Sequence, residues 1–500
     1  MTKFGFSKCI FALLFCCLMP IPVHSAVRLP AVFADHMVLQ REQPVYVWGF
    51  ADPKETVTVA FRGAQLACAA NELGRWSVDL PPGIAGGPFV LSVKGTNSIT
   101  VNDVLVGDVW IASGQSNMGF SVNEGRNAAE EIHAANLPEL RLMNVNQRFA
   151  DYPQDDVAVS MPWTAAAPET VKDFSAVAFF FARELVEHEH VPIGIIESAW
   201  GGTPAEAWTS MRALSRDASL MPVFSAWAAM QASESNAILS QQKERRELEQ
   251  QASPSESVRL PWHPVFGAWA PAALFNGMIA PLTRMPIRGV IWYQGESNTD
   301  AQRYPLYGHL FRTLIEDWRE SWGEGDFPFL YVQIANYRAG PDDHWAEVRE
   351  AQRQALELVN TGMAVTIDIG EPENIHPADK QDVGHRLALA ARAVAYGESV
   401  EYSGPRFRSL SREGAQLRLF FDHADDGLVI RGNELESFEI AGEDGHYVPA
   451  RATVEGATVI LSSPDVPLPV EARYGWADDP ACNLFNKAGL PASPFRSTRP

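Results

Sequence analysis

Five short apolar runs, each separated from the next by room for a helix, constrain this chain more than any other feature. They are Val-Trp-Ile-Ala at 109–112, Ile-Gly-Ile-Ile at 193–196, Gly-Val-Ile-Trp-Tyr at 289–293, Phe-Leu-Tyr-Val-Gln-Ile at 329–334 and Met-Ala-Val-Thr-Ile at 363–367. Runs that are apolar at nearly every position, rather than at alternate ones, belong to strands buried on both faces. Parallel sheets with helices on each side provide that environment. The intervening segments carry helical periodicity: Val383, Leu387, Ala390 and Val394 step four, three and four residues apart and make one stripe. Residues 174–188, 304–322 and 345–359 behave similarly. The fold class is therefore α/β, a doubly wound parallel sheet, over residues 107–400.

Both flanks read as β structure. Residues 27–106 hold short β-branched and aromatic segments (45–49, 56–61 and 89–93) punctuated by Gly, Pro and Asn, the pattern of a small sandwich, with a hairpin expected over 66–79. Residues 401–500 return to strands at 417–421, 427–430, 438–440 and 453–461, an expected C-terminal β module. Within the α/β part, residues 232–262 are polar and then rich in Pro and Ser. They read as an inserted helix and surface loop, with a lid over the site as the alternative.

The first 25 residues differ from the rest. Lys3 and Lys8 precede an apolar run of about 11 residues, too short to span a bilayer, and Pro20 and Pro22 close it before Ser25. This is the pattern of a signal peptide on an exported chain, periplasmic or extracellular. Its removal would take Cys9, Cys16 and Cys17, leaving Cys68 and Cys482, whose pairing stays open. No Cys/His spacing matches a metal site, and His188-Glu-His190 reads as a solvated helix end. With a formal net charge of -21, the chain repels nucleic acid and anionic membranes, so neither is an expected partner.

Parallel sheets bind ligands beyond the carboxyl ends of their strands, so the residues following each run are where chemistry is expected. After the first comes Gly114-Gln-Ser-Asn-Met118, a serine in what reads as a strand-to-helix turn that exposes a hydroxyl and aims backbone N–H groups outward. After the second comes Trp200-Gly-Gly-Thr203, whose glycines let backbone approach a ligand. The third leads into Trp292-Tyr-Gln-Gly-Glu-Ser-Asn298, with amide donors, and the last into a loop holding Asn374 and His376 before a helix starting near Lys380. Asp379 and Lys380 read as exposed residues at that helix start.

Taken together, these four blocks resemble the sialate O-acetylesterase family, a branch of the SGNH hydrolases. The likeness reaches the tail, where Tyr474-Gly-Trp and Cys482-Asn-Leu-Phe-Asn-Lys are similar to that family's. The resemblance implies a flavodoxin-like catalytic part flanked by β modules. It also implies cofactor-free hydrolysis of acetyl esters on an acetylated carbohydrate, with Ser116 as nucleophile and His376 as base. The physical requirement agrees, because a serine hydroxyl is a poor nucleophile until an imidazole takes its proton. The expected oxyanion donors are the N–H groups of Ser116 and Gly202 and the amides of Gln294 and Asn298.

Many SGNH hydrolases place Asp two residues before the histidine, where this chain has Asn374. A Ser–His dyad supported by Asn374 is expected, with Glu296, Glu371, Glu373 and Asp368 as carboxylates that could complete a triad. Two other readings stand beside this one: a catalytically idle carbohydrate-binding protein, and an SGNH esterase for longer acyl chains. Neither the sugar nor the oligomeric state is fixed by the sequence.

Overall fold

A computed structural model describes residues 26–251 and 261–497. The leader expected at 1–25 lies outside the described residues. The N-terminal strands are β1 (Val38–Gln40), β2 (Val45–Phe50), β3 (Thr56–Phe61), β4 (Ala64–Ala69), β5 (Arg75–Leu80), β6 (Gly86–Lys94) and the long β7 (Ser98–Gly114). β2 pairs β5, while β4, β3, β6 and β7 form the opposing sheet, closed by β1 against β7. Alternate residues of β3 and β5 (Val57, Val59, Trp76 and Val78) fill the space between the sheets.

The hairpin expected over 66–79 does not form. β4 pairs with β3, and β5 crosses to β2. The side chain of Asn71 accepts from the backbone N–H of Leu73 and Arg75, and Gly74 takes φ +70°, so the chain arches from one sheet to the other. Periodicity alone cannot separate an arch from a hairpin, since both place alternate residues inward.

β7 runs unbroken across position 106 and becomes the middle of the α/β sheet. The other strands of that sheet are β8 (Leu137–Val145), β9 (Val159–Ala166), β10 (Ile193–Ala199), β11 (Gly289–Tyr293), β12 (Phe329–Val332) and β13 (Thr361–Ala364). Their spatial order is β13-β12-β11-β7-β10-β8-β9, parallel except for β9. The five runs read from the sequence are β7, β10, β11, β12 and β13, which lie in the order 2-1-3-4-5 of a flavodoxin-like sheet. β8 was not anticipated: Pro138, Glu139 and Arg141 interrupt its apolar pattern, yet it adds a sixth parallel strand beside β10.

Successive side chains of each central strand enter opposite layers. Val109 and Ile111 join Val290, Trp292, Phe329 and Tyr331 under the helices Tyr304–Trp322 and Trp345–Gln354. Trp110 and Ala112 join Ile291, Tyr293 and Leu330 under the helices Ala176–Glu189 and Lys380–Val394. The predicted stripe holds, with Val383, Leu387 and Ala390 fully buried.

The insertion is helical from Met221 to Gln251, beginning earlier than the sequence suggested. The strand run expected at 453–461 is a tight hairpin of Arg451–Glu455 and Thr458–Ser462. Among the described residues, the C-terminal β structure comprises two four-stranded antiparallel sheets and a two-stranded one. It fastens to the α/β layer through buried Arg349, whose guanidinium donates to the carbonyls of Ala477 and Asp478. Among the described residues, no helix is long and apolar enough to cross a membrane.

Gly114 closes β7 at φ +136°, and a Cβ there would lie 2.1 Å from the carbonyl oxygen of Tyr293. Gly114→Ala is predicted to destabilise the protein by about 1–3 kcal/mol through backbone strain alone, with the steric clash adding to it. A thermal melt should show a clear fall in Tm; an unchanged Tm would contradict this packing.

Candidate active site

Gly114 ends in a position that lets the next residues turn across the sheet edge. The Gln115 N–H donates to Tyr293 O at 2.9 Å, the Trp200 N–H to Gly114 O at 3.1 Å, and the N–H groups of Met118 and Gly119 both return to Gln115 O at 3.0 Å. Ser116 sits at the top of this turn, half-buried. The expected strand-to-helix transition is instead a strand-to-turn one, and the first helical turn after it is the short 3-10 helix Val122–Glu124. No α-helix starts at the serine, so any oxyanion stabilisation there comes from individual N–H groups rather than a helix terminus.

His376 arrives from the far edge of the sheet on the long loop between β13 and the helix Lys380–Val394. Its Nε2 lies 2.8 Å from Ser116 Oγ. For Nε2 to accept the hydroxyl proton, Nδ1 must carry the ring proton; no described residue forms a hydrogen bond with Nδ1. Asn374 acts on the backbone rather than the ring: its Oδ1 accepts the His376 N–H at 3.0 Å and its Nδ2 donates to His376 O at 2.9 Å.

None of the four expected carboxylates hydrogen-bonds to the His376 ring, which corrects the triad alternatives. Glu371 accepts from Asn374 Nδ2 at 3.1 Å and from the Ala378 N–H at 2.9 Å, bracing the loop. Glu373 is exposed and pairs with Arg338, while Asp368 takes a two-point bond from Arg386 at 2.6 and 2.8 Å. Glu296 is buried and accepts from Asn117 Nδ2 at 2.6 Å. The carboxylate whose field does reach His376 is Glu124, which the sequence reading missed; it raises the ring's pKa against two larger lowering effects, burial and the charge of Lys380. The net result holds His376 below its ordinary value.

Gly201 and Gly202 lie against the serine. A Cβ on Gly201 would sit 3.2 Å from Ser116 Cβ, and Gly202, at φ +70°, has the Trp262 ring where its Cβ would be. Among the described residues no acceptor takes the N–H of Ser116, Gly201 or Gly202. These are the donors available to a developing oxyanion. Gln294 and Asn298 do not fit that role as expected. Both are fully buried; Gln294 Nε2 donates to Asn298 Oδ1 at 2.7 Å and Thr203 O at 3.3 Å, while Asn298 holds the Ala205 N–H and Glu206. They brace the loop carrying Gly201 and Gly202 from beneath.

Lys380 is the largest departure from the sequence reading, being fully buried rather than exposed. Its Nζ donates to Asn117 Oδ1 at 2.6 Å and lies over the rings of Phe120 and Tyr293. Burial pushes the ammonium down to about 7, with Glu296 and Glu371 opposing. Burial likewise raises Glu296, and Lys380 opposes. Asn117 spends its other amide proton on Ile375 O at 3.0 Å, one residue before His376. Asn117, a member of the Gly114–Met118 block, thus links the serine turn to the histidine loop, a role a single sequence gives no means of assigning.

The Ser116–His376 pair divides two cavities. One, of about 480 Å³, is polar and bounded by Phe120, Glu124, Asn144, Asp173 and Glu197. The other, of about 580 Å³, is walled by Trp262 and Trp269 with Ser297, Asp300 and Asp343 at its rim. Trp262 emerges at the end of the inserted segment, beside residues the structure does not describe. The only sequence signal for it was a tryptophan between Pro261 and His263 after a polar stretch.

Comparisons with known proteins agree over most of the chain. Residues 106–256 and 265–393 match the family described as carbohydrate esterase, sialic acid-specific acetylesterase. Sialate O-acetylesterase of Homo sapiens is 32% identical, covering 94% of this chain and 92% of that protein; the Mus musculus enzyme of the same name is 33% identical over 94% of each. A crystal structure of a carbohydrate acetylesterase from Xanthomonas citri superposes with a TM-score of 0.82 at 39% identity, covering 95% of this chain and 100% of that one. By matched length and identity, this chain belongs to the carbohydrate esterase family of sialic acid-specific acetylesterases.

Proposed function

We propose that this carboxylic ester hydrolase removes O-acetyl groups from carbohydrates through a Ser116–His376 dyad and an acetyl-enzyme. The observation that carries the mechanism is the 2.8 Å approach of His376 Nε2 to Ser116 Oγ on a floor of unused backbone donors. As Oγ attacks the acetyl carbonyl, Nε2 takes its proton, and the N–H groups of Ser116 and Gly201 or Gly202 receive the developing oxyanion. Collapse breaks the ester C–O bond while Nε2 returns the proton to the departing sugar oxygen. Water then attacks the acetyl-enzyme with the same base, releasing acetate. No step calls on a cofactor. Export from the cell belongs to the same proposal and rests on the leader pattern at residues 1–25 alone.

Asn374 and Glu371 are assigned to holding the loop and Lys380 to the field around the ring. Ser116→Ala and His376→Ala should each lower kcat for an acetyl ester by about 10⁴-fold or more. Asn374→Ala should cost no more than about 100-fold, the scale of a misplaced group. An Asn374→Ala loss as large as that of Ser116→Ala would contradict a backbone-bracing role.

The pH profile tests the electrostatics. The base must be neutral, so activity is present above the His376 pKa and lost as pH falls through it. With burial and Lys380 holding that pKa down, the acid limb of kcat/KM should lie below the ordinary histidine value of about 6.5. The charge of Lys380 lowers the His376 pKa, so Lys380→Met should move the limb to higher pH. Glu124→Gln should move it lower, and by less, because exposed Glu124 is screened by solvent. A limb unmoved, or moved downward, in Lys380→Met would refute this reading of the field.

A further inference from the structure

We infer that Glu197 is a positioning residue for the nucleophile: through Ser175 it holds the far end of the turn that carries Ser116. This rests on the esterase reading above and adds a residue to its machinery. Asn117 ties the near side of that turn to the histidine loop, but one tie leaves the turn free to hinge where β7 ends at Gly114. The second tie comes from the residues leading into the helix Ala176–Glu189. Ser175 Oγ donates to Met118 O at 2.6 Å, the Ala176 N–H to Phe120 O at 2.8 Å, and the Val122 N–H to Phe174 O at 3.0 Å. Ser175 also caps that helix, its Oγ accepting the Ala178 N–H at 3.1 Å.

Glu197 anchors this clamp in the sheet. It stands in β10, and its Oε2 accepts the Ser175 N–H at 3.2 Å and Asn144 Nδ2 at 2.9 Å. Glu197 and Ser175 are 5% and 1% exposed. A carboxyl in a strand buried on both faces is costly, and an aliphatic side chain would fill the space without that cost. What the carboxyl adds is an oxygen that takes two donors, one in the clamp on the serine turn and one near the end of β8. Without it both donors would be left unpaired in a dry interior.

The placement of this anchor makes it local to the chemistry. Glu197 lines the polar cavity together with Ser116 and His376. A Cβ on Gly119 would lie 3.8 Å from Glu197 Oε1, which puts the carboxyl against the end of the serine turn. Burial pushes the carboxyl up to about 7, with the Ser175 N–H opposing. The neutral acid still presents lone pairs to both donors, so acceptance rather than charge is the property the clamp uses. Glutamine supplies the same oxygen, and alanine supplies none. Losing the oxygen shifts the turn by little, yet misplacing a reacting group by about 1 Å can cost about 100-fold in rate.

Two readouts of Ser116 test the assignment: kcat/KM for nitrophenyl acetate, and the rate of labelling by a serine-directed organophosphonate. Glu197→Ala should lower both by about 30-fold or more, while labelling still runs to one adduct per chain, which reports an intact fold. Glu197→Gln should keep both within about threefold of the unaltered protein, a rescue that simple loss of packing would not predict. Ser175→Ala, at the other end of the link, should lower both by about tenfold or more. The double alanine variant should fall no more than about threefold below Glu197→Ala alone, because the two residues act along one path. An alanine variant at 197 as fast as the unaltered protein, a glutamine variant as slow as the alanine one, or losses that multiply in the double variant would each overturn the inference. Should a thermal melt show that Glu197→Ala does not fold, Ser175→Ala decides alone, and a smaller loss than stated overturns the inference. Hydrolysis by the unaltered protein that persists in Ser116→Ala would count against the esterase reading instead, so the two failures are distinguishable.

Discussion

The geometry of the site depends on one side-chain amide. Asn117 follows the serine directly and uses all of its hydrogen-bonding groups across three other elements: Glu296 after β11, Ile375 O beside the histidine, and Lys380 at the head of the last long helix. Serine and histidine come from strands that are not neighbours, so nothing in the sheet itself sets their separation. A buried, fully committed amide does, because every alternative placement would leave an amide group or the Lys380 ammonium unpaired in a low-dielectric interior. Holding two reacting groups at hydrogen-bond distance before substrate arrives is where such a site gains much of its rate.

Around that tie, each part of the chain positions one piece. β7, shared by the N-terminal sheet and the α/β sheet, delivers the serine at the switch point between β10 and β11. Buried Gln294 and Asn298 support the glycine loop from below. The C-terminal β structure contributes at a distance: Asp479 takes the Asn336 side-chain amide, and Asn336 Oδ1 receives the Gly370 N–H, bracing the loop that leads to His376. The insertion supplies Trp262. The tail and the insertion, dispensable in a bare flavodoxin-like fold, thus shape the loop and the walls where a substrate would lie.

What the sequence made legible is what period and punctuation encode. Five buried strands, the stripe from Val383 to Val394, the serine just after the first run and the histidine in the loop after the last all follow from local pattern, although a turn replaces the helix expected at the serine. The misses share a cause. β8 is hidden because Arg141 is satisfied by Asp103 and His36 O, contacts made by distant residues. Lys380 looked like an exposed helix start because a lysine's burial depends on Asn117 and Glu296, far away in sequence. Gln294 and Asn298 had the right chemistry for oxyanion donors, yet their direction is set by Thr203, Ala205 and Glu206. Charged and amide side chains are read correctly only once their partners are known, whereas apolar periodicity needs no partner to be recognised.

The central claim is that Ser116 is made nucleophilic by His376 across a preformed hydrogen bond. The most direct measurement is covalent labelling with a serine-directed organophosphonate, followed by peptide mapping in the unaltered protein and in His376→Ala. A single adduct on Ser116, formed at least 100-fold more slowly without the imidazole, is the predicted result. Labelling of a different serine, or of Ser116 at a rate indifferent to His376, would contradict the account.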